Sequence, residues 1–236
     1  MKKIKTWYSS LGFYSNPFSI KPAAFHDELF GYEDMLNKIN SKISNGSVVF
    51  LTGQYGSGKT TILKRIINRF RKKIIIIYYS CNQSESIDFD RLLYSRTFLR
   101  RLFHIRQKKN VLLLDEVQDM NKKDSDRLCE YYSQGFFKSM ILSSMKANQV
   151  RFTDCLKELT RDNIFKIGKL NKKQAVDLIR KRIGNIEFLK DGIIEKIYSL
   201  NSNPRAFLKN CEELCRYASE TGAKEVTDKH IKDVLK

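Results

Sequence analysis

Acidic residues are scarce beside basic ones: 26 Asp and Glu stand against 44 Lys and Arg, a formal charge of +18. Such an excess points to an anionic partner, either nucleic acid or an acidic membrane surface. No apolar run reaches the length of a membrane span, and the longest, Ile74 to Tyr79, suits a buried strand. Met1 to Tyr14 holds no apolar stretch of signal-peptide length, so a cytoplasmic location is expected. The five cysteines form no CxxC pair. Cys211 and Cys215 sit four apart with no His or further Cys at metal-ligand spacing, which argues against a zinc site. All five are expected to be buried, reduced thiols. Internal repeats and low-complexity linkers are missing too. What is present, 236 residues with 42% hydrophobic content, is enough for an α/β core and a small attached domain.

Residues 1–30 read as an irregular lead-in holding Pro17 and Pro22. Helical spacing of Met35, Leu36, Ile39 and Ile43 marks Glu33 to Ile43. Val48 to Thr52 and Ile74 to Ser80 read as strands on either side of a helix from Thr60 to Arg71. Arg91 to Arg106 reads as an amphipathic helix, with Arg96, Arg100 and Arg101 on its polar side. Val111 to Leu114 is a third strand, and Asp124 to Ser133 a helix closed by Gly135. Ser139 to Ser143 and Ile164 to Ile167 complete the strands. Beyond Leu170 only helices appear: Lys172 to Ile183, Gly192 to Leu200, Pro204 to Ser219, and Thr227 to Leu235, with Thr227 a candidate N-cap. The expected fold is α/β: a five-stranded parallel sheet between helices over residues 1–170, then an all-helical lid over 171–236.

Two motifs carry chemistry. Gly53-Gln54-Tyr55-Gly56-Ser57-Gly58-Lys59-Thr60 matches GxxxxGK[ST], follows a strand and opens a helix. Its glycines let backbone N–H groups turn inward around a phosphate, and the helix N-terminus adds partial positive charge. Lys59 should reach the β- and γ-phosphates of ATP, and Thr60 should ligate Mg2+, with Thr61 beside it. Val111-Leu112-Leu113-Leu114-Asp115-Glu116 is an apolar strand ending in two acids. It places Asp115 at the carboxyl edge of the sheet, to hold the metal through its water shell, and Glu116 to orient and deprotonate water. A glutamate directly after the aspartate favours hydrolysis over kinase chemistry.

With these motifs the chain resembles the AAA+ ATPases, in the branch of initiator (origin-recognition), transposition-target and secretion-associated ATPases. The resemblance also rests on Leu11-Gly12-Phe13, Asn16-Pro17-Phe18, Phe30-Gly31-Tyr32-Glu33 and Asn203-Pro204-Arg205. It implies that Phe30, Gly31 and Tyr32 line an adenine pocket and that Arg205 reaches the γ-phosphate in the same subunit. It also implies that Arg161 acts as an arginine finger on a neighbouring subunit, within a homo-oligomer. The chain departs from the family where the fourth strand usually ends in an Asn or Thr that senses the γ-phosphate. Here Ser143 and Ser144 stand, and alignment does not choose between them. No residues follow the lid for the winged-helix domain of family initiators, so DNA contact is expected from core or lid.

The favoured reading is an ATP-hydrolysing, DNA-associated assembly whose Arg96, Arg100 and Arg101 hold nucleic-acid backbone. A second group, Lys64, Arg65, Arg69, Arg71, Lys72 and Lys73, adds to the basic surface. The alternative is a nucleotide-gated switch or motor accessory acting on protein partners at a membrane. It would ignore DNA.

Overall fold

The computed structural model describes residues 6–20, 31–83, 86–94, 110–146, 148 and 150–235. Phe30, Arg96, Arg100, Arg101 and most of the expected helix from Arg91 to Arg106 lie outside these residues. The described residues divide into two compact units.

The α/β unit comprises Tyr32–Tyr55 and Lys59–Ile167. It holds β1 (Val48–Thr52), β2 (Ile76–Ser80), β3 (Asn110–Asp115), β4 (Phe137–Ser144) and β5 (Ile164–Lys166). All pair in parallel, in the order β2-β3-β4-β1-β5. Every residue of β1 and β3 is buried, as for parallel strands covered on both faces. Their continuous apolar runs follow from that coverage. After a short α1 (Trp7–Ser10) assigned to the other unit, the described connecting helices of this one are α2 (Glu33–Ser44), α3 (Lys59–Phe70), α4 (Phe89–Tyr94), α5 (Lys122–Ser133) and α6 (Asp154–Thr160). Helix α3 buries Ile62, Leu63, Ile66 and Phe70, one apolar stripe at helical spacing. Helix α5 is capped by Asn121, whose Oδ1 accepts from Asp124 N at 2.8 Å. Asp124 is 1% exposed and its carboxylate accepts from Ile87 N at 2.9 Å and Asn121 Nδ2 at 3.0 Å, which pins the chain before α4 to α5.

The cysteine expectation needs a correction. Cys129 on α5 and Cys155 on α6 form a disulfide, with Cα atoms 6.4 Å apart, while Cys81, Cys211 and Cys215 are free and buried. The cause is local seating. Thr153, at the start of α6, donates its backbone N–H to Ser125 Oγ at 3.0 Å. Cys129 lies one turn beyond Ser125, so it falls beside Cys155.

The helical unit comprises Met1–Gly31, the loop tip Gly56–Gly58 and Gly168–Lys236. Its described helices are α1 (Trp7–Ser10), α7 (Lys172–Ile183), α8 (Asp191–Leu200), α9 (Pro204–Glu220) and α10 (Asp228–Val234). Ile179, Ile183, Ile194, Ile197, Phe207, Cys211 and Leu214 are all at or below 3% exposed and form its core. Asn171 and Gln174 make a reciprocal capping box at the start of α7. At the start of α10 the backbone N–H of Thr227 donates to His230 Nδ1 at 2.9 Å. The units divide after Ile167. The lead-in, expected with the core, instead groups with the helices. Arg182 donates to the carbonyls of Pro17 at 3.2 Å and Ser19 at 3.1 Å, and Ser10 Oγ lies 2.9 Å from Ser219 Oγ. Trp7 stacks on Phe18, which is 1% exposed.

Candidate functional site

Strand β1 is the central rail of the site. Its register with β4 runs Leu51 to Ser143 and Thr52 to Ser144, and Gly53 N–H extends the pairing to Ser144 O at 3.2 Å. The chain then turns through Gly56 at φ +77° and Gly58 at φ +102° before α3 begins. These left-handed angles, rather than crowding, require glycine at Gly58, where an added Cβ would meet nothing within 4 Å. Lys59 is 5% exposed and its ammonium donates to the carbonyls of Gly53 at 2.8 Å and Gln54 at 3.5 Å. Burial pushes its pKa down, against the upward pull of Glu116 and Asp115. Ser57 is 7% exposed, and its hydroxyl is buried with no hydrogen-bond partner among the described residues. Leaving such a group unsatisfied costs about 1–3 kcal/mol, and a phosphate oxygen in the loop would satisfy it. Tyr55 is 62% exposed at the loop's outer side, Gln54 is exposed, and Thr61 is half-buried in the first turn of α3.

Asp115 is the hub. It is 3% exposed and receives Thr60 Oγ1 at 2.9 Å and Tyr78 OH at 3.1 Å on Oδ2. Its Oδ1 receives Ser143 Oγ and, at 3.1 Å, Glu116 N. Four donors on two oxygens fill the carboxylate and fix its rotamer. Thr60 and Asp115 thus stand side by side as hard oxygen donors. That suits Mg2+, which takes few protein ligands and keeps waters and phosphate oxygens for the rest of its shell. Among the described residues no cluster of three or more His, Cys, Asp or Glu offers an alternative metal site.

Glu116 is the one described non-glycine residue at positive φ, with φ 57° and ψ 45°. Such a conformation costs energy and is held only where its surroundings enforce it. It turns the chain off the sheet into a 3₁₀ turn, Val117–Asp119. Gln118 in that turn donates Nε2–H to Glu116 Oε2 at 2.6 Å and accepts from Ser144 Oγ at 3.0 Å. The two serines left open by alignment therefore differ in place: Ser143 sits on Asp115, and Ser144 reaches Glu116 through Gln118.

The other expected residues are more scattered. Tyr32 is the N-cap position of α2 and makes no side-chain cap bond. Gly31, at φ +74°, belongs to the helical unit, where a Cβ would come within 2.7 Å of the Gln174 side chain. Within the same unit Arg205 donates its backbone N–H to Gly56 O at 3.3 Å, and Asn203 Oδ1 accepts from Arg205 N at 3.1 Å. Arg161 ends α6 with its guanidinium 65% exposed, 3.0 Å from Glu158. Sequence reasoning missed Tyr78 and Gln118. For Tyr78 a signal exists: residues two apart on a strand share a face, and Ser80 lies opposite Asp115.

A family model described as an AAA domain matches residues 45–160. A stretch of 75 residues, 30% of this chain, is 37% identical to a Clostridium perfringens protein named as an ABC transporter ATP-binding protein. The match spans 13% of that relative. Among solved structures, Cdc6p from Pyrobaculum aerophilum superposes with a TM-score of 0.72 at 12% identity, over 92% of this chain and 70% of that one. Drosophila ORC bound to DNA gives 0.67 at 17%, over 98% and 64%. Thermotoga maritima RuvB, a mutant form, gives 0.69 at 17%, over 88% and 69%. The chain thus spans about two thirds of the length of these structures. At such identities the likeness shows the fold alone, a five-stranded parallel sheet with flanking helices, and it agrees with the strand order and the loop-to-helix turn.

Proposed function

We propose that this chain binds ATP with Mg2+ and hydrolyses it, and that it works as a nucleic-acid-associated assembly. The observation that carries the activity is the meeting, at one edge of the sheet, of the phosphate-shaped loop, the Thr60–Asp115 oxygen pair and the oriented Glu116. Lys59 neutralises charge on the β- and γ-phosphates, and the backbone N–H groups of residues 53–60 cradle them. Thr60 and Asp115 hold Mg2+, which would supply charge neutralisation at the transferring phosphate. Glu116 takes the proton from the attacking water. Gly31 and Tyr32, with Phe30, are assigned to the adenine side, Arg205 to the γ-phosphate from the lid, and Arg161 to the site of a neighbouring subunit.

Nucleic-acid association is supported by the charge of +18 and by the DNA-bound state named for the Drosophila ORC structure. Arg69, Arg71, Lys72 and Lys73, at the end of α3 and just beyond, are exposed and suit phosphate contact rather than base reading. Arg96, Arg100 and Arg101 join them in this reading. The test is the ATPase rate with and without unrelated duplex DNAs, alongside a salt titration of binding. If six or more phosphates are contacted, affinity should fall by roughly 10³-fold or more between about 50 and 200 mM salt, with little dependence on sequence. Hydrolysis with no DNA binding at low salt would leave the ATPase standing and move the partner to protein.

A further inference from the structure

The base glutamate is usually considered alone, yet here its carboxylate is not free to choose a direction. Three elements converge on it. Strand β3 delivers Glu116 in a left-handed conformation, with its own N–H donated to Asp115 Oδ1 at 3.1 Å. The 3₁₀ turn brings Gln118 back over it, Nε2 to Glu116 Oε2 at 2.6 Å. The end of β4 supplies Ser144, buried at 0% exposure, whose hydroxyl lies 3.0 Å from Gln118 Oε1 and 3.1 Å from Lys146 O. The orientation of the amide follows from chemistry. A carboxylate accepts and cannot donate, so the NH2 group must face Glu116 and the carbonyl oxygen must face Ser144. The same Ser144 takes Gly53 N–H on its backbone carbonyl at 3.2 Å. One residue at the tip of β4 therefore holds the first residue of the phosphate loop by its main chain and the base by its side chain, through a single amide.

We propose that Gln118 is a positioning residue for hydrolysis: with Ser144 behind it, it aims the Glu116 carboxylate and ties that aim to the phosphate loop. The proposal rests on the ATPase reading above and deepens it. It also gives the two serines different tasks. Ser143 serves the rotamer of Asp115, while Ser144 serves Glu116 at one remove. Neither Gln118 nor Ser144 touches the nucleotide in this scheme, so ATP affinity should not depend on them.

A correctly placed base contributes about 10²–10⁴-fold in rate, so loss of its positioner should forfeit roughly 10-fold or more. The experiment compares wild type, Gln118→Ala, Gln118→Glu, Ser144→Ala and the Gln118→Ala/Ser144→Ala double variant, by steady-state turnover and by binding of a fluorescent ATP analogue. The expected result is a fall in kcat for Gln118→Ala with analogue affinity unchanged within about twofold. Gln118→Glu keeps the shape and loses the donor, and should be at least as slow. Ser144→Ala should be milder. The double variant should be no slower than Gln118→Ala, because residues acting in series are not additive. A second readout needs no turnover. In the nucleotide-free protein, the Gln118 side-chain NH2 resonance, assigned by its loss in Gln118→Ala, should move in both Glu116→Ala and Ser144→Ala.

An active wild type with unchanged kcat in both Gln118 variants overturns the proposal. So does a double variant whose loss is the product of the single losses, or an amide resonance indifferent to both neighbours. A wild type that does not hydrolyse ATP overturns the activity itself, and the role of Gln118 in it.

Discussion

Lys59 and Asp115 show how the same buried edge of the sheet sets opposite demands on two charges. Lys59 is 5% exposed and, among the described residues, its ammonium is hydrogen-bonded only to carbonyls of its own loop, so burial pushes its pKa down, while Glu116 and Asp115 pull it back. In the proposed site it is the main side-chain partner of the β- and γ-phosphates, held with little water to displace. Lys59→Ala should therefore abolish tight binding of an ATP analogue, seen as loss of saturable fluorescence or heat. Glu116→Gln should do the reverse: binding persists, turnover stops, because an amide cannot accept the proton of water. A Glu116→Gln protein that turns over ATP at the wild-type rate would remove Glu116 from the mechanism. Asp115 lies between these cases. Thr60 Oγ1 and Tyr78 OH both donate to Oδ2 at 2.9 and 3.1 Å, so in the proposed site a magnesium-bound water would share that oxygen with the Tyr78 phenol. Tyr78→Phe leaves the ring in place and deletes one competitor, and should lower the magnesium concentration needed for analogue binding by a modest factor. A higher concentration needed would mean that the phenol helps to hold Asp115 in place rather than competing for its oxygen.

Among the elements, the pair α5 and α6 is tied covalently, and this gives a stability prediction. The Cys129–Cys155 bond closes a loop of 26 residues that contains all of β4. In the chain-entropy account, closing such a loop stabilises by about 3 kcal/mol. Reduction, or Cys155→Ser, should lower the unfolding midpoint of the α/β unit by several degrees, measured by circular dichroism at matched pH. Thiol counting checks the bond itself. Cys81 and Cys215 are buried, with their thiols pushed up to about 12 largely by that burial, and Cys211 is buried as well. The native protein should thus resist alkylation. Denaturation without reductant should expose three thiols, and with reductant five. Nothing in the spacing of the cysteines announces this bond, because it depends on Ser125 and Thr153 meeting across elements. The strands were legible for the opposite reason: Val111 to Leu114 and Val48 to Leu51 are apolar without interruption because both faces of the sheet are covered. Helix α6 leaves no mark in the sequence, since of its seven residues only Leu156 and Thr160 are buried, too few to show a period. In the site, the loop and the two acids were legible as contiguous motifs. Gln118 was not, because its role arises from the positive φ of Glu116, which no local pattern encodes.

For the molecule as a whole, the question is whether one chain completes its own site. The resemblance to AAA+ ATPases assigns Arg161 to a neighbour's nucleotide, and its setting suits that task. The residue terminates α6, next to β5 at the edge of the sheet. Its guanidinium is 65% exposed and is engaged by Glu158, itself 65% exposed, at 3.0 Å, and by Asp162 at 3.9 Å. Exposed pairs of this kind are worth about 0–1 kcal/mol, so the arginine can leave them at small cost. An arginine finger stabilises the charge spreading over the transferring phosphate and is worth about 10³-fold or more in rate. Arg161→Ala should then lose most turnover while keeping analogue affinity, which by itself does not say in which subunit the residue acts. Mixing does. Lys59→Ala subunits have an intact finger and a dead loop; Arg161→Ala subunits have an intact loop and no finger. Side by side in the right order, one interface regains both, so turnover should reappear on mixing and pass through a maximum near equal amounts. Neither parent alone should show it. Light scattering with ATP analogue present establishes that the two variants co-assemble. No recovery at any ratio, in an assembly shown to mix, would place Arg161 outside the neighbouring site and leave each chain to hydrolyse ATP with its own residues.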